Sequence, residues 1–173
     1  MAGEIVENFS TSARSARDLL EAARSASDDY ERCERQLIAL RLRAEHVGGG
    51  VVAGSVGGAT SPDGLERRVT ALVDRERDLE GRMARDEAVI EAACELLYGE
   101  DGRGGLSALV PTFWVDALWW HYLQGLKWVE VGEVLSYSPD HLKACARQAI
   151  EIADGYGVAR AAEGRGIAED PTA

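Results

Sequence analysis

The first half of the chain carries a stripe of apolar residues with the spacing of a coiled coil. Nine residues follow one another at alternating steps of four and three without a miss: Leu19, Ala23, Ala26, Tyr30, Cys33, Leu37, Leu40, Ala44 and Val47. Heptad spacing of this kind places all of them on one side of a helix. A helix over residues 12–47 is about 54 Å long at 1.5 Å per residue, too long to bury its stripe against itself. The stripe therefore requires a partner helix.

A second stripe after residue 61 supplies that partner. It follows the same steps through Leu65, Val69, Leu72, Leu79, Met83, Ile90, Ala93 and Leu97. Glu76 and Asp86 interrupt it, so we expect these acids to face the seam, where they set its register or pair with an arginine across it. Two stripes of matching length predict a long antiparallel, coiled-coil-like helical hairpin over residues 1–100. Such a hairpin can also join two copies of the chain.

Glycine-rich segments separate the predicted helices. Residues 48–64 contain seven glycines and little charge, which indicates a mobile connector rather than a helix. The segment lacks the Gly-Lys-Ser/Thr ending of a phosphate-binding loop, and a partner that docks on its valines stays an open alternative. We expect residues 101–110 to act as a hinge and residues 157–173 to fray as a tail.

Residues 122–154 combine a short helix, a three-residue turn and a longer helix, which is a helix-turn-helix pattern. The first helix buries the stripe Trp128, Val131, Val134 and Leu135, and Gly132 among them permits a close approach. Ser138 can cap the second helix with its hydroxyl, and Pro139 suits the first helical position. The inner stripe of that helix is Leu142, Cys145, Ala149, Ile152 and Ala153, whereas Asp140, Lys143, Ala144 and Arg147 face outward.

The same segment resembles the fourth conserved region of bacterial sigma factors. It is more similar still to small phage and prophage proteins that join a helical N-terminal half to a sigma-like C-terminal helix-turn-helix. The residues that match are Tyr122, Gly125, Trp128, Val131, Gly132, Leu135, Tyr137, Ser138, Ala149 and Ile150. Sigma-like proteins begin the recognition helix with Arg-Glu-Arg-x-Arg-Gln, whereas residues 139–144 read Pro-Asp-His-Leu-Lys-Ala here. The resemblance implies a transcription regulator of the phage or prophage type.

This resemblance implies that residues 111–156 bind DNA, RNA polymerase or both. The candidate DNA contacts are Lys127, Ser138, His141, Lys143 and Arg147. Ser138 would touch a phosphate, while Lys143 and Arg147 would reach the major groove with His141 beside them. The hairpin would supply dimerisation or a polymerase contact. The aromatic-rich helix that starts at Pro111 has aromatic residues on several faces, so we expect one face to meet the hairpin or another subunit of a homo-oligomer.

The charge of the chain opposes strong DNA binding by the protein alone. The formal net charge is −11, and residues 127–157 carry three cations against five acids, a net of −2. Affinity for phosphates comes from clustered Lys and Arg, so DNA binding should be weak. The two lysines of the chain nevertheless both lie in this segment. The alternative is an adaptor that keeps the helix-turn-helix fold but contacts only other proteins.

Other residue patterns argue against further site types. The three cysteines and three histidines have neither zinc-ligand nor disulfide spacing, so we expect no metal and no cofactor. No nucleophile, base and acid fall at a recognisable spacing, so an enzyme is not expected. The chain has neither a long apolar run nor a signal peptide, which predicts a cytoplasmic, all-α protein without a membrane span. The aromatics from Phe113 to Trp128 are expected to pack in the core.

Overall fold

The computed structural model describes residues 15–49, 62–100, 102 and 104–164, and every regular element in that part of the chain is helical. In chain order these are α1 (Ala16–Gly49), α2 (Pro62–Tyr98), a 3₁₀ turn (Gly105–Ala108), α3 (Thr112–Leu118), a π-helical turn (Trp119–Leu123), α4 (Trp128–Leu135), α5 (Pro139–Tyr156) and α6 (Val158–Ala162). The predicted all-α class is confirmed, and α1 and α2 pack closely as a hairpin followed by smaller helices. None of the described helices is long and apolar enough to cross a membrane.

The contacts divide the chain into two compact units. The described residues within 29–85 form one, which we call the hairpin unit, and the described residues within 1–28 and 86–173 form the other, which we call the helix-turn-helix unit. This division differs from the expected boundary at residue 100. The difference arises because Leu20 and Leu97, on the two hairpin helices, share one buried core with Ala149 of α5.

The hairpin unit is held by a short apolar seam and by ion pairs across it. Cys33, Leu37 and Leu79 are buried together. The guanidinium of Arg41 donates to the carboxylate of Glu76 at 2.7 Å and to that of Glu80 at 2.9 Å. Glu76 therefore pairs with an arginine across the seam, as its place in the stripe predicts. These side chains are largely solvated, so the pairs contribute little to stability and mainly favour one register.

Away from this cluster the seam is more open than the sequence predicts. Ala44 and Val69 are exposed, and Leu40 and Leu72 are only half-buried. The stripe is less buried than predicted because two helices alone cannot cover an apolar stripe from every side. The side chains of Val47 and Leu65 lie outside the described residues.

The two hairpin helices extend into the predicted connector. Gly48 and Gly49 end α1, and α2 already begins at Pro62, so residues 48–49 and 62–64 are helical rather than connector. Proline is favoured at a first helical position because its missing N–H has no partner there, and glycine is common at helix ends. Residues 50–61 lie outside the described residues, as does the expected start of the first helix at residues 12–14.

The helix-turn-helix unit is built on one large core. The core brings together residues of the two hairpin helices, the 3₁₀ turn, α3, the π turn, α5 and α6, among them Leu19, Leu20, Ala23, Ala93, Leu96, Leu97, Leu106, Val115, Leu118, Ala146, Ala149, Ile150, Ala153 and Ala161. The amide of Ala16 also donates to the carboxylate of Asp154 at 2.6 Å. The beginning of α1 is thereby tied to the end of α5.

The segment expected to be a hinge is a packed turn in its described part. Gly105 has a φ of 62°, and a Cβ on it would lie only 2.5 Å from the backbone nitrogen of Gly99. The amide of Gly104 donates to the carbonyl of Tyr98 at 2.9 Å, and Leu106 is buried in the core. A hinge needs a backbone that is free to change its dihedral angles, whereas these contacts hold the segment in one conformation.

The expected frayed tail is also partly ordered. Residues Val158–Ala162 form α6, in which Val158 and Ala161 are buried. The glycine-rich composition after Tyr156 predicts fraying, but Val158 and Ala161 of this helix pack in the shared core. Residues 165–173 lie outside the described residues.

Candidate nucleic-acid interface

The turn between α4 and α5 has the local structure that its sequence predicts. α4 ends at Leu135, and the next residue, Ser136, caps it with a left-handed φ of 61°. The amide of Tyr137 donates back to the carbonyl of Gly132 at 3.1 Å. The hydroxyl of Ser138 accepts the amide hydrogen of His141 at 3.3 Å, and Pro139 occupies the first turn of α5. The predicted cap satisfies a donor that the helix itself leaves unpaired.

Gly132 permits the close approach that its place in the stripe predicts. A Cβ at this position would lie 2.8 Å from the carbonyl oxygen of Tyr137 and 3.3 Å from the ring of Pro139. The neighbour that comes close is therefore the turn and the first residue of α5. A side chain here would push the two helices of the motif apart.

A small core beneath the turn joins α3, α4 and α5 through Ala117, Val131 and Leu142. Val131 is completely buried, whereas Val134, expected in the same stripe, is 50% exposed. At 3.6 residues per turn, Val134 is rotated by about 100° from Leu135 and by about 60° from Val131. It lies at the edge of the stripe, where a helix of only two turns leaves it in solvent.

This difference predicts unequal effects for the same substitution at two places in α4. Val131→Ala should lower the free energy of unfolding by about 2 kcal/mol, since two buried methyl groups are lost at roughly 1 kcal/mol each. Val134→Ala, the matched control, should lower it by less than about 0.5 kcal/mol because the position is solvated. Urea denaturation followed by circular dichroism measures both, and equal losses would contradict the orientation of α4.

The outward face of α5 is solvated as predicted. Asp140, Lys143, Ala144 and Arg147 are all exposed, and Leu142, Cys145, Ala149 and Ala153 are buried on the opposite side; Ile152, expected in the inner stripe, is only half-buried. The Lys143 ammonium lies 3.3 Å from the carboxylate of Asp140, and the Arg147 guanidinium lies 3.8 Å from that of Glu151. More than half of each of these side chains is exposed. Pairs this solvated are worth about 0–1 kcal/mol, so an external anion can replace the carboxylate at small cost.

The other candidate contacts lie at the turn and at the start of α4. The Ser138 hydroxyl and His141 are joined by the helix cap, and the His141 ring stacks at 6.1 Å on Phe113. The Nε2 atom of His141 lies 3.6 Å from the Cys145 sulfur. Lys127 precedes α4, and its amide donates to the carboxylate of Glu130 at 2.6 Å. The helix cap thus joins the hydroxyl of Ser138 to the backbone amide of His141.

A cleft of about 380 Å³ opens beside the outward face of α5. The residues that line it are Arg17, Tyr122, Trp128, Asp140, Lys143, Ala144, Ala146, Arg147 and Ile150. Two of the five candidate contacts, Lys143 and Arg147, therefore share one site with Arg17 of α1. Lys127, Ser138 and His141 are not among the lining residues. Sequence reasoning missed Arg17, which lies 126 positions before Lys143 and belongs to no local motif.

The ring of His121 stacks on the ring of Trp128, which lines this cleft. The His121 ring lies 4.0 Å from the Trp128 ring, its Nδ1 is 2.8 Å from the carbonyl of Leu126 and its Nε2 is 3.1 Å from the Arg24 guanidinium. A carbonyl can only accept and a guanidinium can only donate, so Nδ1 carries the proton and the ring is neutral. Burial lowers the pKa of His121, the hydrogen bond to the Leu126 carbonyl opposes that effect, and the charge of Arg24 lowers the pKa further. The stack fixes Trp128 at the start of α4.

Tyr122 also lines the cleft, and charged residues of α1 affect the pKa of its hydroxyl. Burial raises the pKa of its hydroxyl, the positive charges of Arg17 and Arg24 lower it, and the negative charge of Glu21 raises it. The side chains of Tyr122 and Arg17 both line the cleft.

Comparisons with known proteins identify no relative: no protein-family model, no curated protein and no solved structure matches the chain. Within the described residues, His, Cys, Asp and Glu form no group of three that could hold a metal ion. The three cysteines are free thiols. The helix-turn-helix surface and its cleft are thus the features from which a function can be inferred.

Proposed function

We propose that this protein is a transcription regulator of the phage or prophage type that binds DNA, the transcription machinery or both through its helix-turn-helix. The observation that carries the proposal is the two-sided character of α5. The helix starts at a capped, tight turn, buries Leu142 and Ala149, and exposes Lys143 and Arg147 along the other side. This arrangement lets one face of a recognition helix enter the major groove while the other holds the fold.

The charges around α5 make DNA binding weak for the protein alone. Lys143 and Arg147 each lie beside an acid of the same helix, and the chain carries a formal charge of −11. Few phosphates can be neutralised by such a surface, so the salt dependence should correspond to about two to four phosphate contacts per protomer. We propose that a second partner, such as RNA polymerase or another copy of the chain, supplies the remaining affinity.

The hairpin unit offers a surface for such a partner. Ile38, Val69 and Val73 are large apolar side chains exposed on its two helices. Exposed apolar groups at helical spacing favour packing against another helix, which fits dimerisation or a polymerase contact. In this proposal the helix-turn-helix unit faces DNA and the hairpin unit faces a protein.

An observation on α4 favours a second candidate function, that of an adaptor without DNA binding. Val129 at the start of α4 is 61% exposed, Val134 near its end is 50% exposed, and Tyr137 in the turn is 44% exposed. Apolar groups gain nothing next to phosphates but do gain when a protein surface covers them. Under this alternative the helix-turn-helix contacts another protein through α4 and the turn.

The double variant Lys143→Ala/Arg147→Ala separates the two functions. Both side chains are solvated and weakly paired, so the free energy of unfolding should change by less than about 1 kcal/mol. A DNA-binding regulator should lose affinity for duplex DNA, measured by fluorescence polarisation at low and high salt, and should lose promoter response in a reporter assay.

The matched control is Arg32→Ala/Arg35→Ala in the hairpin unit. These arginines are also exposed, and they pair with Asp29 and Glu31 of their own helix at 2.7 and 3.5 Å. The control removes the same charge, so it should bind DNA as the wild type does. Normal regulation by the Lys143/Arg147 double variant would reject DNA binding by α5 and favour the adaptor.

A further inference from the structure

The structure fixes the first turn of α1 against the recognition helix. The Ala16 amide donates to Asp154 of α5 at 2.6 Å, and Leu19 and Leu20 are buried in the core that also holds Ala146. Arg17 lies between these anchored residues and is itself exposed. Its backbone is therefore held in place while its side chain lines the cleft.

The cleft is a local exception in an acidic protein. Its lining residues carry three positive charges, on Arg17, Lys143 and Arg147, against one negative charge, on Asp140, and Glu151 lies 3.8 Å from the Arg147 guanidinium. Arg17 makes no ion pair with any residue of the described ranges. Lys143 and Arg147 are held only by solvated pairs. Cations gathered at one concave site raise the local concentration of an anion and bind it by charge-assisted hydrogen bonds.

The place of the cleft indicates which anion it takes. Two of its cations stand on the face of α5 that the proposed function directs to the major groove, where the phosphates of the groove edge come next to the helix. A guanidinium matches the two free oxygens of a phosphodiester with two parallel donors. The rings of Tyr122 and Trp128 add an apolar wall beside these donors.

We propose that this cleft binds a backbone phosphate of DNA, and that Arg17 of α1 is a DNA contact outside the helix-turn-helix. This inference rests on the proposed function and extends it to the N-terminal helix. A phosphate contact positions a protein on the duplex without reading its sequence. Under this proposal the first turn of α1 is part of the DNA interface.

The test uses the full chain and a fluorescein-labelled DNA duplex of mixed sequence, titrated by fluorescence polarisation over a series of salt concentrations. Arg17→Ala should weaken binding about 3- to 10-fold at low salt and reduce the slope of log affinity against log salt by about 0.9, the loss of one phosphate contact. Arg43→Ala is the control, since Arg43 is an exposed arginine of the same helix within the hairpin unit. It removes the same charge and should leave both quantities unchanged.

The outcomes distinguish this inference from the function on which it rests. If Arg17→Ala equals Arg43→Ala while Lys143→Ala/Arg147→Ala weakens binding, the phosphate site is wrong and the DNA-binding function stands. If the wild type binds no duplex at low salt, the phosphate site and the DNA-binding part of the proposed function are both wrong.

Discussion

Gly105→Ala should lower the free energy of unfolding by about 3 kcal/mol or more, because two costs add at this position. The residue has a left-handed φ of 62°, which a side chain disfavours. A Cβ would also lie 2.5 Å from the nitrogen of Gly99 and 2.7 Å from that of Tyr98. Both obstacles are backbone atoms near the end of α2, so relief requires the turn itself to move. Urea denaturation followed by circular dichroism measures the loss.

Gly102→Ala is the matched control for this prediction. Gly102 has a similar φ of 72°, but no atom of the described residues lies within 4 Å of the position of its Cβ. Only the backbone cost remains, about 1–2 kcal/mol. Equal losses for the two variants would show that the turn after α2 is open at Gly105, and the expected hinge at residues 101–110 would then be restored.

Leu20→Ala should lower the free energy of unfolding by about 2–5 kcal/mol, as expected for a fully buried leucine. Leu20 is completely buried on α1, in the same core as Leu97 of α2 and Ala149 of α5. The variant should therefore also speed hydrogen exchange of the α5 amides, although α5 lies more than a hundred residues away in sequence. Ile38→Ala, on the same helix but at a position that is 54% exposed, should do neither.

Hydrogen exchange makes this prediction specific to the shared core. If Leu20→Ala destabilised α1 and α2 but left exchange in α5 unchanged, the helix-turn-helix would be an independent module, as the sequence alone suggests. A fragment of residues 1–100 would then fold by itself. The shared core instead leaves Leu20, Leu96 and Leu97 of such a fragment without the residues that cover them.

The sequence predicts those features whose causes are local. Heptad spacing reveals both hairpin helices, since each residue of a stripe is fixed by its near neighbours. The cap at Ser138, the proline after it and the two faces of α5 are read from a few consecutive residues. The sequence predicts that Glu76 faces the seam and either sets its register or pairs with an arginine across it, and Glu76 pairs with Arg41 at 2.7 Å.

The buried residues that the sequence does not predict are buried through tertiary packing. Leu20 and Leu96 stand beside the heptad stripes and are buried only because α1 and α2 also pack in the core of the helix-turn-helix unit. Val158 and Ala161 lie among glycines and charges, a composition typical of a tail, yet the core holds them. Periodicity describes one helix at a time, so it cannot show which helices share a core.

The residues of the candidate site also divide into those that local patterns predict and one that only tertiary packing places there. Lys143 and Arg147 were found because they stand one helical turn apart on the outward side of α5. Arg17 joins them only through the packing of α1, for which the sequence contains no local signal. The acids beside Lys143 and Arg147 were visible in the sequence as a net charge, but their pairing distances are a result of the fold.

The position of the aromatic residues gives the protein a built-in optical reporter. All four tryptophans, Trp114, Trp119, Trp120 and Trp128, lie in the helix-turn-helix unit, and residues 29–85 contain none. Indole emission therefore follows the melting of one unit alone, whereas far-ultraviolet ellipticity follows both. A difference between the two melting curves would measure how independently the hairpin unit unfolds, without any label or added dye.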